Sequence, residues 1–450
     1  MRRLVHRSIR PSTILGLLYT AAMKNTAFIL FCGLVCLPGA VSQRQESPAI
    51  VGYVTRTASN SDFDVNGFRV LCGPYTLTSS HSSSGETLSN SGCPADAPYL
   101  GEPLNIYGSF KKQSIRADKI ESRPAQPNAA AQGSAVIDAV LSSVPEGASP
   151  SEFLVRADGY QILFGGNTHI SWIPPLRALT DLKPGDWIEY RGRLGGDGVV
   201  RAEEVRVSPN IVSKAEVYAR SDLVHVTAIA DPLQPDKIVL KYVSLDAPAP
   251  LFYSDPAMQA RADGILKTLI PSFQSNLPED DPRKIKFRVQ LTADKKWNRV
   301  TPLPSGVILI PYQVVVRLNN DSQLAAVLAD AIAFTMENEA FRMRGVVPGV
   351  AIASFAYLNP LTAPFIAWGA TDIARSQIER IRDEQSDRVG LDLMRDAGYD
   401  IDQAPVAWWI LASKKPQPID RIPIPWRATY LYRILGEVWS NPAAAARQLR

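Results

Sequence analysis

From residue 48 to residue 209 the chain alternates apolar and polar positions in short runs, as in "IVGYVTRT", "DFDVNGFRVLC" and "LNIYGSF". Successive side chains of a strand point to opposite faces, so this period of two predicts half-buried strands. The runs also repeat as a set. "GEPLNIYGSFKKQSIRADKI" begins at Gly101 and "GDWIEYRGRLGGDGVVRAEEV" at Gly185. In each, one Gly opens a strand, a second (Gly108, Gly192) closes it, and an Ala (Ala117, Ala202) sits in the next strand. "DFDVNGFRV" and "EFLVRADGYQILF" form a matching pair upstream. This pattern predicts a tandem duplication of a small, mostly antiparallel barrel, over residues 48–122 and 134–209. "RPAQPNAAAQG" (123–133) has linker composition, and the Ser-rich stretch from Ser79 to Ser91 reads as a surface loop.

The period changes after residue 210. "AEVYARSDLVHVTAIA" and "DKIVLKYVSL", within 210–251, read as connecting strands. "DPAMQARADGILKTLIPSF" has Met258, Ala262, Ile265 and Leu269 on one helical face. "KIKFRVQL" and "SGVILIPYQVVV" read as strands, and the remainder as helical. "LAAVLADAIAFTMENE" (324–339) carries an apolar stripe of Leu324, Val327, Leu328 and Ala331. Asn320 at its N-cap and Gln323 three residues on predict a capping box. Asp330 and Phe334, four apart, share a face. The fold class expected is multidomain α+β: two small antiparallel β-barrels, then a mainly helical region (252–450) with a small β-sheet.

Composition narrows the function classes. Of 450 residues, 20% are charged and the formal net charge is only +4, with no basic cluster interleaved with aromatics. Nucleic acid is therefore not an expected partner. Met23-Lys24, an apolar run from Ala27 to Leu37 and the small residues Ala40-Val41-Ser42 before Gln43 make a secretory signal peptide, with Met23 the expected start and 1–42 removed. The alternative is an uncleaved anchor. Val35 before Cys36 argues against a lipoprotein. Cys32 and Cys36 leave with the leader, and Cys72 and Cys93 are expected to form a disulfide in a periplasmic or secreted protein, free thiols being the alternative. The uncharged stretch 345–370 is long enough to span a bilayer. Pro348, Pro360 and Pro364 interrupt it, so it reads as a buried or membrane-dipping hairpin.

Two resemblances add to this reading. "LTDLKPGDWIEYRGRL" resembles OB-like domains of exported bacterial proteins. Such barrels bind oligonucleotides or sugars, and Trp172 and Tyr190 are the aromatics that would serve, though packing is the expected role. The C-terminal half resembles metallopeptidase family forty-eight, the HtpX-like, Oma-type and CAAX-prenyl-protease zinc enzymes. "SDPAMQARADGILKTLIPSF", "WNRVTPLPSGVILIPYQVV", "DSQLAAVLADAIAF" and "RIRDEQSDRVGLDLMRDAGYDIDQA" follow the family's order. The resemblance implies a zincin-like fold with a substrate cleft beside the central helix.

It also implies a zinc held by two His of H-E-x-x-H, with the Glu as general base, and a downstream Glu as third ligand. Here Asp330 stands at the first His, Ala331 at the Glu, Phe334 at the second His and Asp383 at the third ligand, with Glu384 beside it. Arg380 and Asp387 match the family's flanking Arg and supporting Asp. Phe334 ligates no metal and Ala331 accepts no proton. His6, His81, His169 and His225 all precede the region, and "IPIPWRATYLYRIL" lacks the His of the family's terminal T-H-P segment. A hard-cation site of Asp330, Glu337 and Asp383 is the remaining metal reading, with a solvated or salt-bridged acidic helix face preferred to it.

The expectation is an exported, catalytically inactive peptidase homologue with no cofactor, acting as a binding, scaffold or chaperone-like protein toward a protein or polypeptide partner. Membrane association is expected only through 345–370. Two alternatives stand. One is a residual metalloendopeptidase, with Ser305 or Asp383 as candidates. The other is a barrel binding module on a passive scaffold. Amino-terminal sequencing of the exported protein is expected to begin at Gln43; a mature chain that retains residues 23–42 would instead identify an anchor.

Overall fold

The computed structural model describes residues 47–81, 87–123, 129–141, 152–212, 217, 226–231, 234–242, 253–293, 300–303, 305–337, 372–440 and 442–443. The expected signal peptide and the 345–370 segment lie outside these residues. Alternation in the first repeat becomes β1 (Ile50–Ser59), β2 (Asp62–Val65), β3 (Phe68–Leu71), β4 (Leu77–His81), β5 (Thr87–Ser91), β6 (Pro103–Lys111) and β7 (Ser114–Ser122). The second gives β8 (Ala129–Leu141), β9 (Phe153–Ala157), β10 (Tyr160–Trp172), β11 (Trp187–Leu194) and β12 (Val199–Ser208). Both close into five-stranded barrels. The first runs β3-β2-β1-β6-β7 and is closed by a parallel β3–β7 pairing. The second runs β10-β12-β11-β8-β9, with β10 and β12 parallel.

The repeated residues do the same work in each barrel. A Cβ on Gly108 would lie 2.0 Å from the Arg116 carbonyl oxygen, and one on Gly192 2.2 Å from that of Arg201. Only glycine allows the strands to cross that closely, and a register shift falls at each glycine. A second pair is less visible in the sequence. The Thr76 hydroxyl accepts from Gly73 N at 2.9 Å and donates to the Ala117 carbonyl at 2.8 Å. Thr168 repeats this with Gly165 N at 2.9 Å and the Ala202 carbonyl at 2.7 Å.

Three expectations need correction. The Ser-rich stretch is not simply a loop: β4 and β5 pair within it, Leu77 opposite Ser91, above the Cys72–Cys93 disulfide with its 5.4 Å Cα separation. Ser and Thr pair readily when a crosslink holds the base of the ribbon. The second barrel begins inside the 123–133 linker, because small Ala129–Gly133 pair along β11. "YQVVV" is helical rather than extended. Pro311 ends β17 at a helix N-cap, and burial of Val314 and Val315 overrides their β preference.

Between barrel and helices, β13 (Val226–Asp231) and β14 (Gln234–Tyr242) make a separate hairpin. A three-stranded sheet follows, β15 (Arg288–Thr292), β16 (Thr301–Pro302) and β17 (Val307–Pro311), ordered β15-β17-β16. The helices are α1 (Pro256–Leu269), α2 (Ser272–Ser275), α3 (Tyr312–Arg317), α4 (Asp321–Glu337), α5 (Asp372–Asp396), α6 (Gln403–Ala412) and α7 (Trp426–Ile434), the last running into a π-helical turn, Leu435–Ser440. Pro256 at the first turn and the Asp255 carboxylate, accepting from Met258 N at 3.0 Å, start α1. Its Ala262, Ile265 and Leu269 are buried, and Met258 packs at the margin. The central helix is α4, apolar nearly all round and enclosed by α1, α5 and α6.

Both barrels are packed on this helical region through equivalent turns. Asn66-Gly67 and Asp158-Gly159 each have both residues at positive φ, as a two-residue hairpin requires. The first turn meets the Trp409 ring: a Cβ on Gly67 would lie 2.5 Å from it. The second meets the α5 backbone, where a Cβ on Gly159 would lie 2.5 Å from Arg388. Around it Arg388 donates to Asp158 Oδ1 at 2.5 Å and to Tyr430 Oη at 2.6 Å, while Tyr190 Oη donates to Asp158 Oδ2 at 2.7 Å. Asp158 is 1% exposed, and Arg388 also lies 5.0 Å from the Tyr160 ring centroid. Tyr190 is thus core, and Trp172 packs against the same barrel core. Val136 N donates to Glu337 at 2.9 Å, and Gln385 donates to the Ser134 carbonyl at 2.9 Å, adding ties from β8 to α4 and α5.

Removing one partner of a buried ion pair strands the other charge and costs about 3–5 kcal/mol. Asp158→Asn, which tolerates the positive φ, and Arg388→Met are each expected to lower unfolding free energy by roughly that amount. Urea unfolding of both singles and the double should give a double much milder than the sum; strict additivity would show the pair is not the tie.

Asp138, on β8, is buried with neither carboxylate oxygen hydrogen-bonded among the described residues. Burial pushes it well above the usual carboxylate range; Asp392, Asp396 and Asp158 add to this and Arg156 opposes it. The folded chain therefore holds a proton that the unfolded chain releases, and this group makes folding less favourable as pH rises above about 4. Asp138→Asn should raise stability at pH 8 and change it little at pH 4, measured by urea midpoints; an equal effect at both would contradict the raised pKa.

Candidate functional site on the central helix

The α4 helix starts where Asn320 Oδ1 accepts from Ser322 N at 2.8 Å. Gln323 does not complete a capping box. Its amide donates to Gln403 on α6 at 3.0 Å, because burial there offers a fixed partner. Three turns on, α5 crosses at close range. A Cβ on Gly390 would sit 3.2 Å from Asp330 N, so the glycine lets the two backbones approach. That approach brings Ser386 and Asp387 of α5 to Asp330 of α4.

Arg427, near the start of α7, completes the cluster. Its Nη2 donates to Asp330 Oδ1, and its Nε donates to Asp387 Oδ2 at 2.8 Å. Ser386 Oγ donates to the same Asp330 oxygen at 2.6 Å and to the Asp383 carbonyl at 3.2 Å. The guanidinium lies 3.6 Å from the Trp408 ring centroid, so an aromatic face closes one side. Asp387 is 1% exposed in its side chain, Arg427 15% and Asp330 16%. Burial pushes the Asp387 carboxyl up to about 8; Arg427 pulls it down, and Asp330 and Asp383 push it further up. Burial also pulls Arg427 down, but Asp330 and Asp387 outweigh it and the guanidinium stays charged.

The remaining predicted positions surround this cluster without joining it. Ala331 is buried, and its carbonyl accepts from Thr335 Oγ1 at 2.9 Å. Phe334 is half-buried with the Arg382 guanidinium 4.6 Å from its ring centroid. Arg380 is exposed, pairing with Glu384 at 3.0 Å and lying 5.5 Å from the Trp426 ring centroid. Glu337 lies two helical turns from Asp330 and is engaged by β8, so the acidic set Asp330, Glu337 and Asp383 does not converge. Among the described residues no three or more His, Cys, Asp or Glu side chains are grouped to hold a metal ion. Ser305 lies in the turn before β17, its hydroxyl buried without a hydrogen-bond partner among the described residues.

The zinc implied by the resemblance does not fit these residues. Asp330 already accepts from a hydroxyl and a guanidinium, and a cation approaching it meets the Arg427 charge. Ser386 next to Asp330 is no hydrolytic pair either, since it is 3% exposed and its acceptor is held by Arg427. What the arrangement does is set one guanidinium between acidic side chains of two helices. Sequence reasoning missed Arg427 and Ser386. The available signal was a lone Arg at the start of the apolar run "WRATYLY". No family model matches the chain, and no curated protein matches it.

Proposed function

We propose that this chain is an exported, non-catalytic relative of metallopeptidase family forty-eight that acts as a binding or scaffold protein of the bacterial envelope. The observation that carries the reading is the closure of Asp330 by Ser386 and Arg427, at the position where the family places its first zinc ligand. Ala331 and Phe334 beside it supply neither base nor ligand. Close packing of α4 against α5 through Gly390, inside the "DRVGLDLM" run, supports a retained zincin-like frame. The shared closure of both barrels, with the third and fifth core strands parallel, supports OB-like modules. Export is supported by the leader pattern and by the disulfide.

In this reading a polypeptide partner is held without being cut. Ile381 and Trp426, 65% and 44% exposed beside the cluster, are the apolar contacts such a partner would meet. A second reading, with the first barrel as the binding module, draws on Tyr75, Leu71 and Leu77, which are exposed around the disulfide. Trp426→Ala and Tyr75→Ala in partner pull-downs separate the two.

Metal analysis of the purified mature protein, with a casein-degradation assay, tests the absence of catalysis. Substoichiometric zinc and no chelator-sensitive cleavage are expected. Stoichiometric zinc with cleavage abolished by EDTA would overturn the proposal.

A further inference from the structure

We infer that Arg427 is an internal cation that performs the structural work of a metal: it holds α4, α5 and α7 together at the point where their acidic groups meet. Three observations carry this. First, its partners come from different elements. Asp330 lies on α4 and Asp387 on α5, while Arg427 itself enters from α7, and Ser386 of α5 donates to the same Asp330 oxygen. A metal ion joins helices in the same way, by drawing donors from several elements to one positive centre. Second, acidic groups gather on this one cation. Asp330 and Asp387 both face the guanidinium, and the Asp383 charge acts on it as well. Third, the geometry uses the guanidinium fork. Nε serves one carboxylate and Nη2 the other, with the flat face on Trp408. An ammonium is a point charge and has no such fork or face.

The bridging of the helices follows from this geometry; that Arg427 stands near a position where relatives hold a metal rests on the proposed relation to zinc peptidases. The distinction has a consequence: the chain should be indifferent to divalent cations and chelators, and dependent on one guanidinium.

Thermal unfolding of the full mature chain tests this. Arg427→Ala is expected to lower Tm by about 5 °C or more, since it leaves Asp330 and the buried Asp387 without their shared donor. Millimolar guanidinium chloride should return part of the loss, while urea and sodium chloride at equal concentration should not. Arg427→Lys should fall between Ala and wild type. Should Arg427→Ala fail to fold, the charge-free triple variant Arg427→Met, Asp330→Asn, Asp387→Asn remains informative. It removes both acidic groups with the cation, and is expected to fold and to ignore guanidinium. An Arg427→Ala Tm equal to wild type overturns the inference, as does a triple variant no more stable than the single. Zinc found in the wild type would sink the non-catalytic reading instead, leaving the guanidinium response to be judged separately.

Discussion

Charged side chains buried along one helix organise this molecule, and each must find a partner before the helix can leave water. The Asp372–Asp396 helix presents Arg388 to one neighbour and Asp387 to another. A buried, unpaired ion costs several kcal/mol, more than any one apolar contact supplies. Docking the second barrel is therefore a condition for burying this helix as well as a result of it. Asp158 supplies the countercharge, and Gly159 beside it lets the hairpin turn come down onto the helix backbone.

The same pairing sets the geometry of the candidate site. Consecutive residues step about 100° around a helix, so fixing Arg388 toward the barrel fixes the directions of Ser386 and Asp387. Those directions meet Asp330 and Arg427. Gly390 sets the depth at which the two helices approach, and Trp408 covers the guanidinium. The first barrel contributes in parallel: its own Asn66-Gly67 turn rests on Trp409, the next residue of the helix that carries Trp408. The duplicated modules thus apply one docking device, a glycine turn at positive φ, at two places on the helical region.

Much of the architecture was legible from pattern alone. Alternation located the barrel strands, and the Gly108/Gly192 and Ala117/Ala202 pairs exposed the duplication because glycine at a close strand crossing has no substitute. The helical stripe of Leu324, Val327, Leu328 and Ala331 marked the central helix, whose burial on nearly every side exceeds what one stripe requires. Errors fell where a distant partner overrode a local tendency. Gln323 left its capping box for Gln403, "YQVVV" became helix against its β preference, and serine-rich chain paired as a ribbon above a disulfide. Of the site, Asp330, Ala331, Phe334, Asp383 and Asp387 were identifiable, whereas Arg427 and Ser386 were not.

By itself the sequence determined what the candidate site lacks. Residue type settles that Ala331 takes no proton and Phe334 binds no metal, wherever the backbone puts them. It also determined the two barrels, since strand period and indispensable glycines act locally. Which groups surround Asp330 was decided only in the tertiary structure. Arg427 lies 97 residues from Asp330 and 40 from Asp387 along the chain. Partners at that separation leave no periodic trace, and whether an arginine becomes a surface charge or the cation at the centre of three helices depends on which carboxylates the folded chain brings to it.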